Sequence, residues 1–286
     1  MNRLPPGQKG GVVAAYGLFR ALSLDVVLGG LAGGALALYV TGARIPAAWW
    51  PVLAAAIWVV YTTDHLLDAR RVGAQGAGGR LRLHARHPRR LLVGDLSVAG
   101  LCVLGARLYL PHTVFLGGVV LSVVGALHLA ASQLGARRWL PKEITVACIY
   151  TAGIWLAPDL LAPSRTTWIW LVAALHFLAV LLNMAMYAIF EERLDAAEDG
   201  ASISRTLSDS ALRRGVAALT ALGLAAGGIG LWRGPSTFAG AWCVLMVLIA
   251  APCVFLTVPS LVVPHQRYRT CGEILFLLLA LPFVLR

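Results

Sequence analysis

The chain has 286 residues, of which 59% are hydrophobic and only 13% charged, with a formal net charge of +11 and a mean hydropathy of +0.77. A soluble globular domain needs about 25% charged residues to wet its surface, so half that fraction implies that most of this surface faces lipid. Disorder, collagen-like repeats and a disulfide-rich secreted fold are excluded together, and the five cysteines form no C-x-x-C pair and lie in or beside apolar runs, as small buried hydrophobes do.

A hydrocarbon core about 30 Å thick takes about 20 apolar helical residues to cross. Nine runs approach that length: Ala21 to Thr41, Ala48 to Tyr61, Leu91 to Leu110, Thr113 to Leu134, Ile144 to Leu161, Thr167 to Phe190, Ala211 to Trp232, Phe238 to Val258 and Cys271 to Leu285. The prediction is an all-α integral-membrane bundle of nine transmembrane helices forming a single domain, 1–286. Residues 1–20, with the Pro- and Gly-containing stretch MNRLPPGQKGG, read as a mobile leader rather than a cleaved signal peptide. The second run is short, but its helical pattern continues through TTDHLLDAR and carries acidic groups to the membrane surface. The segment 69–90 reads as a basic connection and 191–210 as an acidic one.

Cytoplasmic loops retain Lys and Arg, so their distribution orients the chain. The N-terminal segment and the connections after spans two, four, six and eight hold 19 of the 24 Lys and Arg, whereas the other side has only Arg44, Arg107, Arg165, Arg233 and Arg286. The expected protein is multi-pass, as in a bacterial inner membrane, with its N-terminus in the cytoplasm, its C-terminus outside and the lipid bilayer around it. Topology thus accounts for most of the positive charge, which argues against nucleic acid as a partner.

Ionisable groups near a membrane span are functional candidates because an uncompensated buried charge costs several kcal/mol. Two pairs stand out: Asp64 and Asp68 at the end of span two, and Glu191 and Asp195 in YAIFEERLDAAEDG at the end of span six. Each is spaced i, i+4, which puts both carboxylates on one helical face, close enough to share a divalent cation. The two pairs are offset by 127 residues, and each ends the second helix of a four-helix set. That suggests two pseudo-repeated four-helix halves plus one helix. Facing carboxylate pairs repel unless cations intervene, and Mg²⁺, bound through carboxylates and substrate phosphates, suits them.

The connection after span two contains Arg70, Arg71, Arg80, Arg82, Arg86, Arg89 and Arg90 with His84 and His87; guanidinium groups pair with phosphate oxygens in a fixed fork, and anionic lipid headgroups attract the same loop. Its glycines, VGAQGAGG, form no phosphate-binding loop, since no strand precedes them and no G-K-[ST] follows. Between spans four and five, Arg137, Arg138, Lys142 and Glu143 make another charged cluster. Span six carries a polar stripe, His176, Asn183, Tyr187 and Glu191, within about 80° of one helical face, and Tyr61 precedes Asp64 by about one turn. His128, Ser132 and Asp25 are further polar groups inside or beside the spans.

These motifs resemble the UbiA superfamily of intramembrane prenyltransferases: nine transmembrane helices, an N-D-x-x-D-x-x-x-D motif after helix two and a D-x-x-x-D motif after helix six. Asp64 and Asp68 match the last two aspartates of the first motif, and Glu191 and Asp195 match the second. Val60 and Tyr61 stand where the family has Asn-Asp, and Glu191 where it has Asp, so the chain looks like a divergent member. The resemblance implies a Mg²⁺-dependent transfer of an isoprenoid chain from a prenyl diphosphate to an acceptor. Asp64, Asp68, Glu191 and Asp195 would hold metal at the catalytic centre. Arg71, Arg138 and Lys142 would neutralise the departing diphosphate, and Tyr61, Asn183 and Tyr187 would line the substrate site. A UbiA-type terpene cyclase and a non-catalytic lipid-diphosphate binder or transporter are the alternatives.

Overall fold

The computed structural model describes residues 11–76, 79–133, 142–197 and 207–285, with side chains in those ranges except at 11–15, 72–76, 79–80, 132–133, 192–197 and 265. Every regular element among the described residues is a helix. Seven are long and apolar enough to cross a membrane: α2 (Leu24–Thr41), α3 (Trp49–Gly76), α5 (Pro88–Tyr109), α6 (His112–Gln133), α8 (Thr167–Ala197), α9 (Asp209–Arg233) and α10 (Ala239–Thr257).

The fifth and ninth expected runs are helical but less regular. The fifth is α7 (Lys142–Leu160), whose first turn holds Lys142 and Glu143 and whose last turn holds Pro158 and Asp159, leaving a shorter apolar stretch between. The ninth divides into α12 (Arg267–Phe276), a 3₁₀ segment (Leu277–Ala280) and α13 (Leu281–Val284). Pro282 lies in the first turn of α13; its missing N–H and its ring disturb the turn before it, which tightens. A short α11 (Pro259–Val262) precedes them.

Two expected connections are also helical. Residues 11–20, expected to be mobile, belong to α1 (Gly11–Ala21), and Ser23, in the left-handed region at φ 54°, turns the chain into α2. Within 69–90, α3 continues to Gly76 and α4 spans Gly79–Arg86. His84 of α4 is buried against His65 of α3, their rings 5.1 Å apart, so a tertiary contact holds this polar, Gly-bearing segment in helical form.

The helix at the centre is α2. Of its span 67% is buried, against 6% for α5 and 11% for α6, whose apolar side chains instead face outward. One core cluster joins α2 (Leu36, Val40) to α7 (Ile154, Trp155), α8 (Val172, Leu182) and α10 (Trp242, Leu245). A second joins α2 (Val26, Val27) to α3 (Trp49, Leu53, Ile57). The small residues of α2 permit this, because close helix approach in lipid needs glycine at the contact. A Cβ on Gly33 would lie 2.7 Å from His176 Cε1, and one on Gly34 2.8 Å from the Trp49 ring. His176 is itself fixed: Trp155 Nε1 donates to its Nδ1 at 2.9 Å, which leaves the proton on Nε2.

Gly33→Ala overpacks this contact and is expected to lower stability by about 1–3 kcal/mol. Gly94→Ala, where an added Cβ meets nothing within 4 Å, is neutral or stabilising. Thermal unfolding of the purified variants in detergent compares them, and equal effects would remove the close-packing account of α2.

Candidate active site

Asp64 and Asp68 fall on one face of α3, as their spacing predicts, and Lys142 at the start of α7 meets both. Its Nζ donates to Asp64 Oδ2 at 3.0 Å and Oδ1 at 3.3 Å and lies 3.6 Å from Asp68 Oδ2. Arg71, one turn beyond, places Nη2 3.7 Å from Asp68 Oδ1. The two carboxylates and two cations balance in charge. An ammonium at a helix N-terminus opposes the positive end of the helix dipole, so the Asp pair compensates a placement that α7 alone disfavours.

The second carboxylate centre is built between α8 and α12. Tyr268 Oη donates to Glu191 Oε1 at 2.7 Å, and Arg269 grips Glu191 in a bidentate fork, Nε on Oε1 and Nη2 on Oε2. Glu191 is only 7% exposed, and this fork and one phenol engage both of its oxygens. Tyr268 and Arg269 precede the apolar run beginning at Cys271. Burial, and then the negative charge of Glu191, push the Tyr268 phenol up. For Arg269, burial lowers the value, but the bonds to Glu191 outweigh it and hold the guanidinium charged.

The polar stripe on α8 faces the same helix. The Arg269 guanidinium lies over the Tyr187 ring, 5.4 Å from its centroid, and the Tyr187 hydroxyl is shared between Glu273 Oε1 at 3.2 Å and the Arg269 carbonyl at 3.3 Å. A Cβ on Gly272 would come within 2.7 Å of Asn183 Oδ1, which marks how closely α12 approaches Asn183 and Tyr187. Tyr150 of α7 donates its hydroxyl to the Val26 carbonyl at 3.3 Å, and a Cβ on Gly29 would meet both this hydroxyl, at 3.5 Å, and Phe276 of α12, at 3.4 Å. Arg20 Nε lies 3.9 Å from Asp25.

Thus Asp64, Asp68, Lys142 and Arg71 come together, and Asn183, Tyr187 and Glu191 come together. Arg138 lies outside the described residues, as does the side chain of Asp195, whose backbone continues α8 one turn past Glu191. Sequence reasoning missed Arg269, Tyr268 and Glu273. The available signal was two arginines in HQRYRT directly before an apolar run whose only acidic residue is Glu273. At the opposite end of the bundle is a cavity of about 720 Å³, lined by Tyr39, Thr166, Phe238 and Leu281 among others.

Neither a protein-family model nor a curated protein sequence matches the chain. Solved structures do. A UbiA homologue from Archaeoglobus fulgidus bound to GPP and Mg²⁺ superposes with a TM-score of 0.68 at 12% identity, covering 94% of this chain and 100% of that one. The same comparison with a UbiA homologue from Archaeoglobus fulgidus bound to DMAPP and Mg²⁺ has a TM-score of 0.65 at 12% identity, covering 93% and 98%. With one bound to Cd²⁺ the TM-score is 0.64 at 12% identity, covering 94% and 100%. The chain has the UbiA fold.

Within that UbiA fold, the donor set fits a divalent ion unevenly. Asp64 and Asp68 offer hard oxygen ligands, but Lys142 Nζ sits between them. Glu191 does not fit a metal as it stands, since Tyr268 and Arg269 engage both of its oxygens. Among the described residues no three His, Cys, Asp or Glu converge on one point. Lys142→Gln removes the ammonium, and Mn²⁺ affinity at Asp64 and Asp68 is expected to rise at least about tenfold, the order of one charge interaction in a half-buried site. Titration followed by electron paramagnetic resonance measures this; unchanged or weaker Mn²⁺ binding would show that the Asp pair is no cation seat.

Proposed function

We propose that the chain is a divergent UbiA-superfamily membrane prenyltransferase that transfers an isoprenoid chain from a prenyl diphosphate to an acceptor. The observation that carries this reading is the gathering of Asp64 and Asp68 around Lys142 at one end of a UbiA-fold bundle. The proposed bundle has nine spans, the seven long helices plus α7 and the apolar run from Cys271 to Leu285, with an internal four-helix repeat. Its carboxylate end faces the cytoplasm, as the distribution of Lys and Arg requires, and the C-terminus lies outside a bacterial inner membrane.

The diphosphate is placed against Lys142, Arg71 and Arg138, with Tyr61, Asn183 and Tyr187 beside it. Asp64 and Asp68 would hold Mg²⁺, which supplies Lewis-acid neutralisation of phosphate charge; Glu191 and Asp195 complete the acidic rim. Lys142, released from the aspartates, meets the departing diphosphate. The allylic C–O bond breaks with its electron pair leaving on the diphosphate oxygen, and the acceptor attacks the allylic carbon and loses a proton. The apolar helices exclude water, which would otherwise capture the cation. A specific observation favours a second reading, that of a non-catalytic lipid-diphosphate binder: Val60 and Tyr61 offer fewer oxygen ligands than Asn-Asp.

Purified protein is expected to release diphosphate from geranyl or dimethylallyl diphosphate in the presence of Mg²⁺ and acceptor, and Asp64→Asn to slow release by about 10²-fold, the usual loss for one group stabilising developing charge. Cyclic product without acceptor would assign a terpene cyclase instead. Metal-dependent binding without release would assign the binder. No release and no binding with any chain length sinks the reading.

A further inference from the structure

Both carboxylate centres hold a cation of the chain itself, but the two cations differ in kind. Lys142 is a single ammonium on a flexible stem, 27% exposed, reaching two carboxylates at 3.0 and 3.6 Å. An entering ion can displace it, because its three rotatable donors find other acceptors at little geometric cost. Arg269 is locked. Its fork engages both oxygens of Glu191, its guanidinium stacks over Tyr187, and Tyr268 bonds the same carboxylate. Mg²⁺ demands near-octahedral oxygen ligands and keeps several waters, and a carboxylate that is 7% exposed and already accepts three hydrogen bonds has one lone-pair site left to offer it.

We propose that Glu191 is a positioning residue rather than a metal ligand: it fixes Arg269, and the Arg269 guanidinium supplies toward the substrate diphosphate the positive charge expected of a metal at this second centre. The proposal rests on the diphosphate reading above. A guanidinium has five N–H donors, and Nε and Nη2 hold Glu191. The Nη1 end, on a side chain 23% exposed, points away from that carboxylate and is geometrically suited to a phosphate oxygen. Tyr187 ties Arg269 to Glu273, and a Cβ on Gly29 of α2 would meet Phe276 of α12 at 3.4 Å and the Tyr150 hydroxyl of α7 at 3.5 Å, so α12 and α7 meet at one level of α2. The guanidinium therefore belongs to the same end of the bundle as the Asp64 and Lys142 centre.

The test uses the full chain in detergent, with Mn²⁺ alone as the metal probe and geranyl diphosphate as the phosphate probe. Glu191→Gln is expected to bind Mn²⁺ within about twofold of wild type but geranyl diphosphate about tenfold more weakly, since one charge-assisted fork is lost. Arg269→Lys, which keeps the charge without the fork, recovers about half, on a logarithmic scale, of the affinity that Arg269→Gln loses. Should Glu191→Gln fail to fold, Tyr268→Phe removes one hydrogen bond and no charge, and is expected to weaken geranyl diphosphate about threefold with Mn²⁺ unchanged. A tenfold loss of Mn²⁺ in Glu191→Gln makes Glu191 a metal ligand and overturns the proposal. So does a Glu191→Gln protein that binds both probes like wild type, because the pair is then only a structural tie. If wild type binds no geranyl diphosphate, the diphosphate reading fails, and the Mn²⁺ comparison still decides whether Glu191 is a ligand.

Discussion

Lys142 with Asp64 and Asp68, and Arg269 with Glu191, allow a bundle with an apolar exterior to carry carboxylates into its interior. An unpaired buried charge costs several kcal/mol, and removing Arg269 from the buried Glu191 costs about 3–5 kcal/mol because the carboxylate is stranded. Each contact therefore dictates more than its own geometry. The first pins the start of α7 to the end of α3, and the second pins α12 to the end of α8. Four helix segments are thereby tied in pairs. The polar stripe of α8 then has a partner helix to face.

What brings the helices near enough is the narrowness of α2. Lipid tails are as apolar as leucine, so no hydrophobic force draws helices together inside a membrane, and close packing has to supply the attraction. Gly33 and Gly34 admit the His176 and Trp49 rings where any side chain would exclude them. Large side chains of α3, α7, α8 and α10 thus pack on one thin helix, with α5 and α6 left at the lipid-facing periphery. The site is a consequence of that arrangement: α3, α7, α8 and α12 all lean on α2.

Much of this was legible in the sequence because it is periodic. Apolar runs located the long helices, and the i, i+4 rule placed Asp64 with Asp68 and aligned Asn183, Tyr187 and Glu191 on one face of α8. The continuation of α3 through TTDHLLDAR was legible for the same reason. Contacts between distant positions were not. Arg269 and Glu191 are 78 residues apart, and no local pattern tells a cation that finds a carboxylate from one kept in a loop by topology. The helicity of 79–86 depends on His84 packing against His65, a tertiary contact that overrides a polar, Gly-bearing composition. The break before α13 was signalled by Pro282, but the apolar run around it looked continuous.

The departures from the UbiA pattern and the contacts in the structure bear on one another. Val60 and Tyr61 remove oxygen ligands beside Asp64 and Asp68, and the acidic residue at the second motif is a glutamate, whose longer reach brings it to Arg269. A diphosphate needs positive charge from some source, and a guanidinium held by a carboxylate provides it permanently, without an ion having to be captured from solution. Under the proposed function, a site of this composition would keep one seat, at Asp64 and Asp68, where Lys142 and a divalent ion compete, and a second, at Glu191, where the cation is covalently part of the chain. Loss of metal ligands and gain of an internal cation are, in this reading, two halves of one substitution of charge.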